Sequence, residues 1–317
     1  MKLSIFTTLG GGNYQPTQRQ DSLTEALDCY TDLADEVIVV NGSNIGINDG
    51  WLSYDGLTKS DGRSETVIKE IFHVWENEFD WRFIGQQFQR GYEACTGDWA
   101  VRADLDFIWH EDDFQEIRNF LKNCDAPVAC MVKRQFLKHD SYAVKALVPI
   151  AFNKKKYGNR IKLDSGEDLC QPSLDGVEIN KDEMPVIARR VPVIIDESVT
   201  MEQRAKRLPD EMVENGITYA YGEYIPIYNY ECLLRTKDVQ AKEFFRFARA
   251  WGRTFGKNMF NIQSEEDALR EFIKMQVGRY KNSNQVKLKL EDHPKFIQET
   301  IKNLKPEQFG FNMWGEK

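Results

Sequence analysis

The chain has 317 residues and a formal net charge of −8 at pH 7. This length is enough for one large domain with a full hydrophobic core, or for such a domain with a helical appendage. Hydrophobic residues make up 41% and charged residues 29% of the chain, which is ordinary for a globular protein. The negative charge argues against non-specific binding to nucleic acid, so no nucleic-acid partner is expected.

The cysteines and the apolar segments indicate the compartment. None of the six cysteines is paired in a C-x-x-C spacing, which favours reduced thiols in an intracellular protein over a zinc site or a disulfide framework. The first ten residues lack the basic start and apolar run of a signal peptide. No segment approaches the roughly 18 apolar residues of a transmembrane helix. The sequence therefore predicts a cytoplasmic protein, for which a peripheral contact with a membrane stays open.

The first 40 residues predict a β-α-β unit. Residues 2–8 form a β-type run. Residues 22–25, Ser-Leu-Thr-Glu, match a capping box and begin a predicted helix that ends near Leu33. Residues 37–40 are a continuous apolar run, which is typical of a strand buried on both faces of a parallel sheet.

The next part of the chain is expected to continue this alternation. Residues 44–63 are rich in Gly, Asp, Asn and Ser, and they predict a long loop. We predict a helix over residues 64–78, a strand over 81–84 and a helix over 86–95. The segment 97–108 then gives a short buried strand. The order β-α-β-α-β-α-β therefore ends at two carboxylates, Asp104 and Asp106.

Asp104 and Asp106 form a D-x-D pair at the end of this strand. On an extended segment, side chains two residues apart point to the same face, so both carboxylates would lie together. Mg²⁺ or Mn²⁺ is the expected neutralising ion, because hard cations prefer carboxylate oxygen. A metal with few protein ligands keeps positions that a diphosphate can fill. The alternative is a chance pair, since the chain carries 50 acidic residues.

The rest of the chain changes character near residue 236. Further β segments are predicted at 127–132, 133–152, 160–163, 185–195 and 225–230, and a helix at 201–215. Helices are predicted at 241–251, 264–279 and 295–304. The sequence therefore predicts a catalytic domain over residues 1–235 and a helical C-terminal region over residues 236–317, packed on that domain.

Several of these segments together resemble the GT-A glycosyltransferases, especially family 2-like enzymes. The resemblance covers residues 1 to about 115 well and the rest only in short pieces. It is carried by Thr7-Thr8, Arg19, residues 36–43 (EVIVVNGS), residues 97–106 (GDWAVRADLD), residues 166–168 (GED), residues 227–231 (IYNYE), Arg235 and Lys242.

The resemblance implies a fold and a donor site. The expected fold is GT-A, a Rossmann-like mixed, mostly parallel sheet flanked by helices. The expected donor is a UDP- or GDP-sugar, bound by Thr7, Thr8, Asn41 and Asp104. Asp106 is the expected direct ligand of Mn²⁺ or Mg²⁺, together with Asp104.

The resemblance also implies the chemistry. The enzyme would move a sugar from the nucleotide to the hydroxyl of a glycan or other acceptor, with inversion at the anomeric carbon as the simplest outcome. The acceptor needs a general base. Asp168 is the first candidate and Glu167 the second, although a solvated loop explains this acidic cluster almost equally well.

Two positions depart from the family pattern. Relatives usually carry an acid where this chain has Asn41, and some carry a metal-binding His where it has Asn229. Two alternatives therefore stay open. One is a nucleotidyltransferase, whose Gly-rich loop residues 10–12 and Arg19 half fit. The other is a non-catalytic glycan-binding protein on a decayed GT-A fold.

Overall fold

The computed structural model describes residues 1–10, 22–43, 66–74, 81–163, 171–192, 212–214, 217–256, 261–282 and 285–304. The strands, labelled β1 to β15, are Leu3–Leu9, Glu36–Asn41, Val67–Phe72, Trp99–Arg102, Phe107–Ile108, Val128–Lys138, Ser141–Phe152, Ile161–Lys162, Ser173–Leu174, Val177–Glu178, Ala188–Pro192, Met212–Glu214, Ile217–Tyr224, Pro226–Asn229 and Val286–Lys287. The helices, labelled α1 to α8, are Leu23–Leu33, Trp81–Ala94, Phe114–Asn123, Lys154–Tyr157, Glu231–Leu234, Lys237–Phe255, Glu265–Asn282 and Lys295–Asn303.

A mixed central sheet organises the described residues. Its strand order is β3-β2-β1-β4-β7-β6-β14-β5, and β15 pairs with β7. The first four strands in this order are parallel, as are β6 and β14. The long strand β7 runs antiparallel to both β4 and β6. The predicted α/β fold, with a largely parallel central sheet flanked by helices, is confirmed.

Helices cover both faces of the parallel part of the sheet, because successive side chains of a strand point to opposite faces. Ile5 of β1 packs in one apolar cluster with Leu27 of α1. Its neighbour Phe6 packs in the other cluster with Tyr92 of α2, at a ring-centroid distance of 6.4 Å. A Cβ atom at Gly91 would lie 2.8 Å from the ring of Phe6, so this position needs glycine for the close approach of α2.

Two predictions between residues 64 and 95 are wrong. Residues 67–72 form strand β3, which pairs in parallel with β2, and not a helix. Residues 81–84 begin helix α2 and are not a strand. The stripe of Ile84, Phe88 and Tyr92 follows helical spacing, which a four-residue window could not show. The third strand before the D-x-D pair therefore exists, but it lies earlier in the chain than predicted.

The prediction of a helix at residues 201–215 also fails where it can be compared. The structure describes only residues 212–214 of that segment, and they form strand β12, which pairs with β13. The predicted strand near residues 185–195 is present as β11 at the edge of the same small sheet.

The C-terminal part contains the three predicted helices, α6, α7 and α8. It is not wholly helical, because β15 joins the central sheet beside β7. Helix α8 packs on α1, where Ile297 and Ile301 are buried with the apolar core. No helix in the described part of the chain is long and apolar enough to cross a membrane.

One lysine closes the carboxyl end of α2. Lys154 Nζ donates to the carbonyl oxygens of Tyr92, Glu93 and Cys95 at 2.7, 2.7 and 2.5 Å. Tyr92 and Glu93 lie in the last turn of the helix and Cys95 directly follows it, where carbonyl groups have no partner within the helix itself. Lys154 therefore stabilises the carboxyl end of α2.

We expect Lys154→Met to lower the free energy of unfolding by about 1–3 kcal/mol, because it leaves these carbonyl groups without their charged donor. Chemical denaturation at pH 7 measures this change. The matched control is Lys155→Met, since Lys155 is exposed and forms a surface ion pair with Asp98 at 3.3 Å. The control should change stability by less than about 0.5 kcal/mol. Equal losses in the two variants would contradict the capping role.

Candidate functional site

The candidate site lies at the carboxyl ends of the parallel strands, the edge where open α/β sheets bind ligands. Thr7 and Thr8 are in the last part of β1, and Asn41 is the last residue of β2. Strand β4 ends at Arg102, and the D-x-D pair follows at once. The topology therefore brings most of the predicted donor-binding residues to one edge of the sheet.

The D-x-D pair lies in a turn and not on a strand, which corrects the expectation of two carboxylates on one strand face. The amide of Phe107 donates to the carbonyl of Asp104 at 2.8 Å and closes the turn. The amide of Ala103 donates to the carbonyl of Phe6 at 2.9 Å and ties the turn to β1. As a result Asp106 is buried at 8% exposure, whereas the Asp104 side chain is 36% exposed.

Tyr30 of helix α1 and the residue that precedes this helix, Ser22, hold the turn through hydrogen bonds. The hydroxyl of Tyr30 donates to the carbonyl of Asp104 at 2.6 Å, and the hydroxyl of Ser22 donates to the carbonyl of Leu105 at 2.7 Å. Ser22 is the N-cap residue of α1, but its side chain makes no capping hydrogen bond. The predicted helix start is confirmed and the predicted capping chemistry is wrong, because the hydroxyl serves the turn.

The end of β14 and the residue after it also hold the turn through backbone contacts. The amide of Tyr230 donates to the carbonyl of Asp106 at 3.1 Å, and Asn229 pairs with Phe107 between β14 and β5. The segment 227–231 noted in the sequence is therefore a neighbour of the D-x-D turn. This contact joins residues more than 120 positions apart, and only the folded sheet brings them together.

Asp106 sits in an unfavourable electrostatic environment. Its burial and the negative charges of Glu231 and Asp104 raise the pKa of Asp106 to about 7. The positive charges of Arg235 and Lys133 act in the opposite direction. Because burial and like charges outweigh the two cations, the ionised form of Asp106 lacks part of its compensation.

Arg235 forms a buried ion pair beside this acidic group. Its Nη1 lies 2.9 Å from Oε2 of Glu243 and 3.2 Å from Oε1 of Glu231. The backbone carbonyl of Arg235 accepts a hydrogen bond from Gln240 at 2.7 Å. Arg235 thus connects the short helix α5 with the long helix α6 at the border of the site.

Two other cations border the turn. The guanidinium of Arg102 lies 4.6 Å from the ring centre of Phe88, and its Nη2 is 3.5 Å from Oδ2 of Asp104. The ammonium of Lys133, on β6, lies 4.9 Å from the ring centre of Phe107. Arg102 therefore forms an ion pair with Asp104, and the positive charge of Lys133 acts on Asp106.

The residues predicted to bind the donor differ in their contacts within the protein. Both side-chain atoms of Asn41 are engaged, because Nδ2 donates to Glu70 at 2.5 Å and Oδ1 accepts from the amide of Ser43 at 2.8 Å. Thr7 is fully buried, and its hydroxyl has no hydrogen-bond partner among the described residues. Thr8 is half-buried. Roles of these residues toward a nucleotide stay predictions.

The donor set at the turn fits a cation with few protein ligands. The carboxylates of Asp104 and Asp106 are hard oxygen donors that lack full compensation. The amide of Asn229 is fully buried, and neither its nitrogen nor its oxygen has a partner among the described residues. Within the described ranges no three or more His, Cys, Asp and Glu side chains are grouped to hold a metal ion. The Mn²⁺ or Mg²⁺ site therefore stays a prediction.

Several sequence predictions lie outside the described residues. They are the loop at 44–63, residues 11 and 12 of the glycine run, Arg19, Glu167 and Asp168. The general-base prediction for Asp168, with Glu167 second, therefore stays untested.

The sequence-based site list omitted three residues that the structure brings to the turn. Glu231 begins α5 and Arg235 directly follows its end, a spacing of four residues at which an acidic and a basic side chain can pair. Lys133 is a lysine within a strand, and strand alternation puts it on the same face as Gln135. Glu231 and Arg235 entered the sequence analysis only as parts of the family resemblance, and no local pattern places them or Lys133 beside residues 104–106.

Comparisons with known proteins leave the family open. No protein-family model matches the chain, and no curated protein sequence is significantly similar to it. A crystal structure of S. aureus TarS 1–349 shares 13% identity at a TM-score of 0.37, covering 88% of this chain and 73% of that chain. The same TarS segment in complex with UDP-GlcNAc shares 12% identity at a TM-score of 0.32, covering 86% and 81%.

The bifunctional IspDF from Campylobacter jejuni shares 9% identity at a TM-score of 0.29, and covers 50% of this chain and 43% of that chain. At such low identities and TM-scores, none of these likenesses decides a family or a function for this chain.

We expect Asp106→Asn to stabilise the fold, because the amide removes a buried charge that repels Glu231 and Asp104. Thermal unfolding at pH 8 in the presence of a chelator should show a melting temperature several degrees above that of the wild type. The control is Asp112→Asn, since the side chain of Asp112 is 80% exposed and close in sequence. A fall in the melting temperature for Asp106→Asn would contradict the electrostatic argument.

Proposed function

We propose that this protein is a glycosyltransferase that moves a sugar from a nucleoside-diphosphate sugar to an acceptor hydroxyl. One observation carries the proposal. A buried carboxylate, Asp106, lacks part of its charge compensation at the carboxyl edge of a parallel sheet, with a second carboxylate two residues before it. Such an arrangement supports a site for a cation and the diphosphate that accompanies it.

The residues around the turn have different proposed roles in binding the donor. Asp104 and Asp106 would hold Mn²⁺ or Mg²⁺, with the buried amide of Asn229 as a further oxygen donor. When bound, the cation supplies positive charge where the leaving diphosphate gains negative charge. Arg235 and Lys133 add positive charge at the same place. Thr7, Thr8 and Asn41 would contact the nucleotide from the ends of β1 and β2.

The acceptor side needs a base. In the proposed step the acceptor oxygen attacks the anomeric carbon while the bond to the diphosphate oxygen breaks. Asp168 accepts the hydroxyl proton, with Glu167 as the second candidate, and the nucleoside diphosphate leaves. A single displacement of this kind inverts the anomeric carbon. We assign this work to residues 1–235, with residues 236–317 as a region that packs on them.

Two alternatives make different products. A nucleotidyltransferase would release pyrophosphate from a nucleoside triphosphate, whereas the proposed enzyme releases a nucleoside diphosphate from a sugar donor. A non-catalytic glycan-binding protein would release neither. Asn41 and Asn229, the two departures from the family pattern, are the features that keep this last alternative.

The first test measures donor binding. We expect UDP or GDP, or one of their sugars, to raise the melting temperature of the wild type in the presence of Mn²⁺ and not in a chelator, because a ligand of the folded state stabilises it. Asp106→Asn should lose the shift although it is folded. Asp112→Asn should keep it. Stabilisation by CTP with release of pyrophosphate would favour the nucleotidyltransferase, and no shift with any nucleotide would favour the non-catalytic protein.

The second test concerns the base. Once a donor is found, we expect Asp168→Asn to lower kcat by about 10²–10⁴-fold, because a positioned general base contributes about that factor. The melting-temperature shift with the nucleoside diphosphate should be unchanged. Glu167→Gln is the matched control and should keep most of the activity. If Glu167→Gln loses turnover and Asp168→Asn keeps it, the two roles are exchanged.

A further inference from the structure

The C-terminal segment, residues 285–304, is built into the half of the sheet that carries the candidate site. Its strand β15 pairs with β7, and its helix α8 packs on α1. Lys295 at the start of α8 donates from its amide to Glu111 at 3.0 Å and from its ammonium to Asp32 at 2.9 Å. Between β15 and α8 the chain places His293 in the interior, where it is fully buried.

His293 is hydrogen-bonded at both ring nitrogens. Its Nε2 lies 3.1 Å from the carbonyl oxygen of His139, and its Nδ1 lies 2.9 Å from the hydroxyl of Tyr230. A carbonyl oxygen only accepts, so Nε2 carries the proton and Nδ1 accepts from Tyr230. Burial lowers the pKa of His293 to about 4, so the ring is neutral at pH 7. The bond therefore has one defined direction, from Tyr230 to His293.

Aromatic packing fixes the same pair. The ring of Tyr230 stacks on Phe136 of β6 at 4.7 Å between ring centres, and His293 lies 4.8 Å from the same ring. Tyr230 and His293 are both fully buried. The carbonyl of His293 also accepts from Gln298 of α8 at 2.7 Å. The C-terminal segment therefore holds the imidazole, and the imidazole and Phe136 both contact the Tyr230 side chain.

Tyr230 is also the residue that holds the D-x-D turn. Its amide donates to the carbonyl of Asp106 at 3.1 Å. Its neighbours in the chain are the buried Asn229 and the acid Glu231, which contributes to the charge environment of Asp106. Tyr230 thus makes both contacts, with its side-chain hydroxyl on His293 and its backbone amide on the turn.

We propose that His293 is a positioning residue of the donor site, acting through the Tyr230 hydroxyl to fix the backbone of Asp106. The proposal rests on the proposed function, since its consequence for turnover needs a donor. In this proposal the C-terminal segment, residues 285–304, contributes a positioning residue to the site. Neither His293 nor Tyr230 needs to touch the substrate for this role.

Two substitutions at residue 293 separate its two hydrogen bonds. His293→Asn keeps an oxygen two bonds from Cβ, near the place of Nδ1, so it can still accept from Tyr230. His293→Gln puts its amide one bond further, near Nε2, so it can still donate to the carbonyl of His139 but leaves Tyr230 without an acceptor. Tyr230→Phe removes the donor. His139→Ala is the control, because that side chain is exposed and the carbonyl stays.

We expect His293→Gln and Tyr230→Phe to lower kcat/KM for the donor by about tenfold or more, as is typical when a supporting residue of a catalytic group is lost. His293→Asn should stay within about threefold of the wild type, and His139→Ala should equal it. All variants are assayed at a temperature well below their melting points. A merely structural role predicts lower melting temperatures for the Asn and Gln variants alike with unchanged kcat/KM, and that result would overturn the proposal.

Amide hydrogen exchange gives a readout that does not depend on turnover. In His293→Gln the peptide that contains residues 226–234 should exchange at least severalfold faster than in His293→Asn, because the Tyr230 amide loses its fixed place. The peptide over 295–303 should stay protected in both, which shows that α8 is still docked. If the wild type turns over no donor, the proposed function fails. Separately, and whatever the turnover, equal exchange of residues 226–234 in the two variants overturns the positioning role.

Discussion

Backbone hydrogen bonds hold the turn at residues 103–107 from three directions, and the candidate site depends on them. A backbone carbonyl of β1 accepts from the amide of Ala103. The hydroxyls of Tyr30 in α1 and of its N-cap residue Ser22 donate to two carbonyls of the turn, and the amide of Tyr230, just after β14, donates to the carbonyl of Asp106. Each carbonyl of the D-x-D segment thus has a hydrogen-bond partner, which fixes the backbone that carries Asp104 and Asp106. The position of the turn backbone is therefore set by the fold itself.

The same turn is where the protein accepts an unfavourable charge. A buried carboxylate with a pKa raised to about 7 reduces the stability of the fold at neutral pH. Arg235 reduces the repulsion but is itself shared between Glu231 and Glu243. Groups with a strongly shifted pKa that destabilise the fold are commonly found at functional sites. Here a bound cation would remove the cost, so ligand binding and stability are expected to be coupled.

The C-terminal segment has two physical roles in this arrangement. Its strand extends the sheet and its helix covers the apolar stripe of α1, which is ordinary packing. Through His293 it also reaches the residue that supports Asp106. Hydrogen bonds such as that of Tyr230 with His293 therefore join residues on the two sides of the boundary predicted near residue 236. Polar groups that are buried and fully paired specify one arrangement, because any other leaves them unsatisfied.

The sequence by itself determined the α/β class and the parallel pairing of β1 with β2, because a continuous apolar run of four residues has to be buried on both faces. It also located Asp104 and Asp106 at the end of β4. It misjudged residues 64–84, since an edge strand and a helix start give similar patterns in short windows. Only the tertiary structure decided that the D-x-D pair is a turn and that Tyr230 supports it. Those contacts join residues far apart in the chain, and local pattern carries no information about such distances.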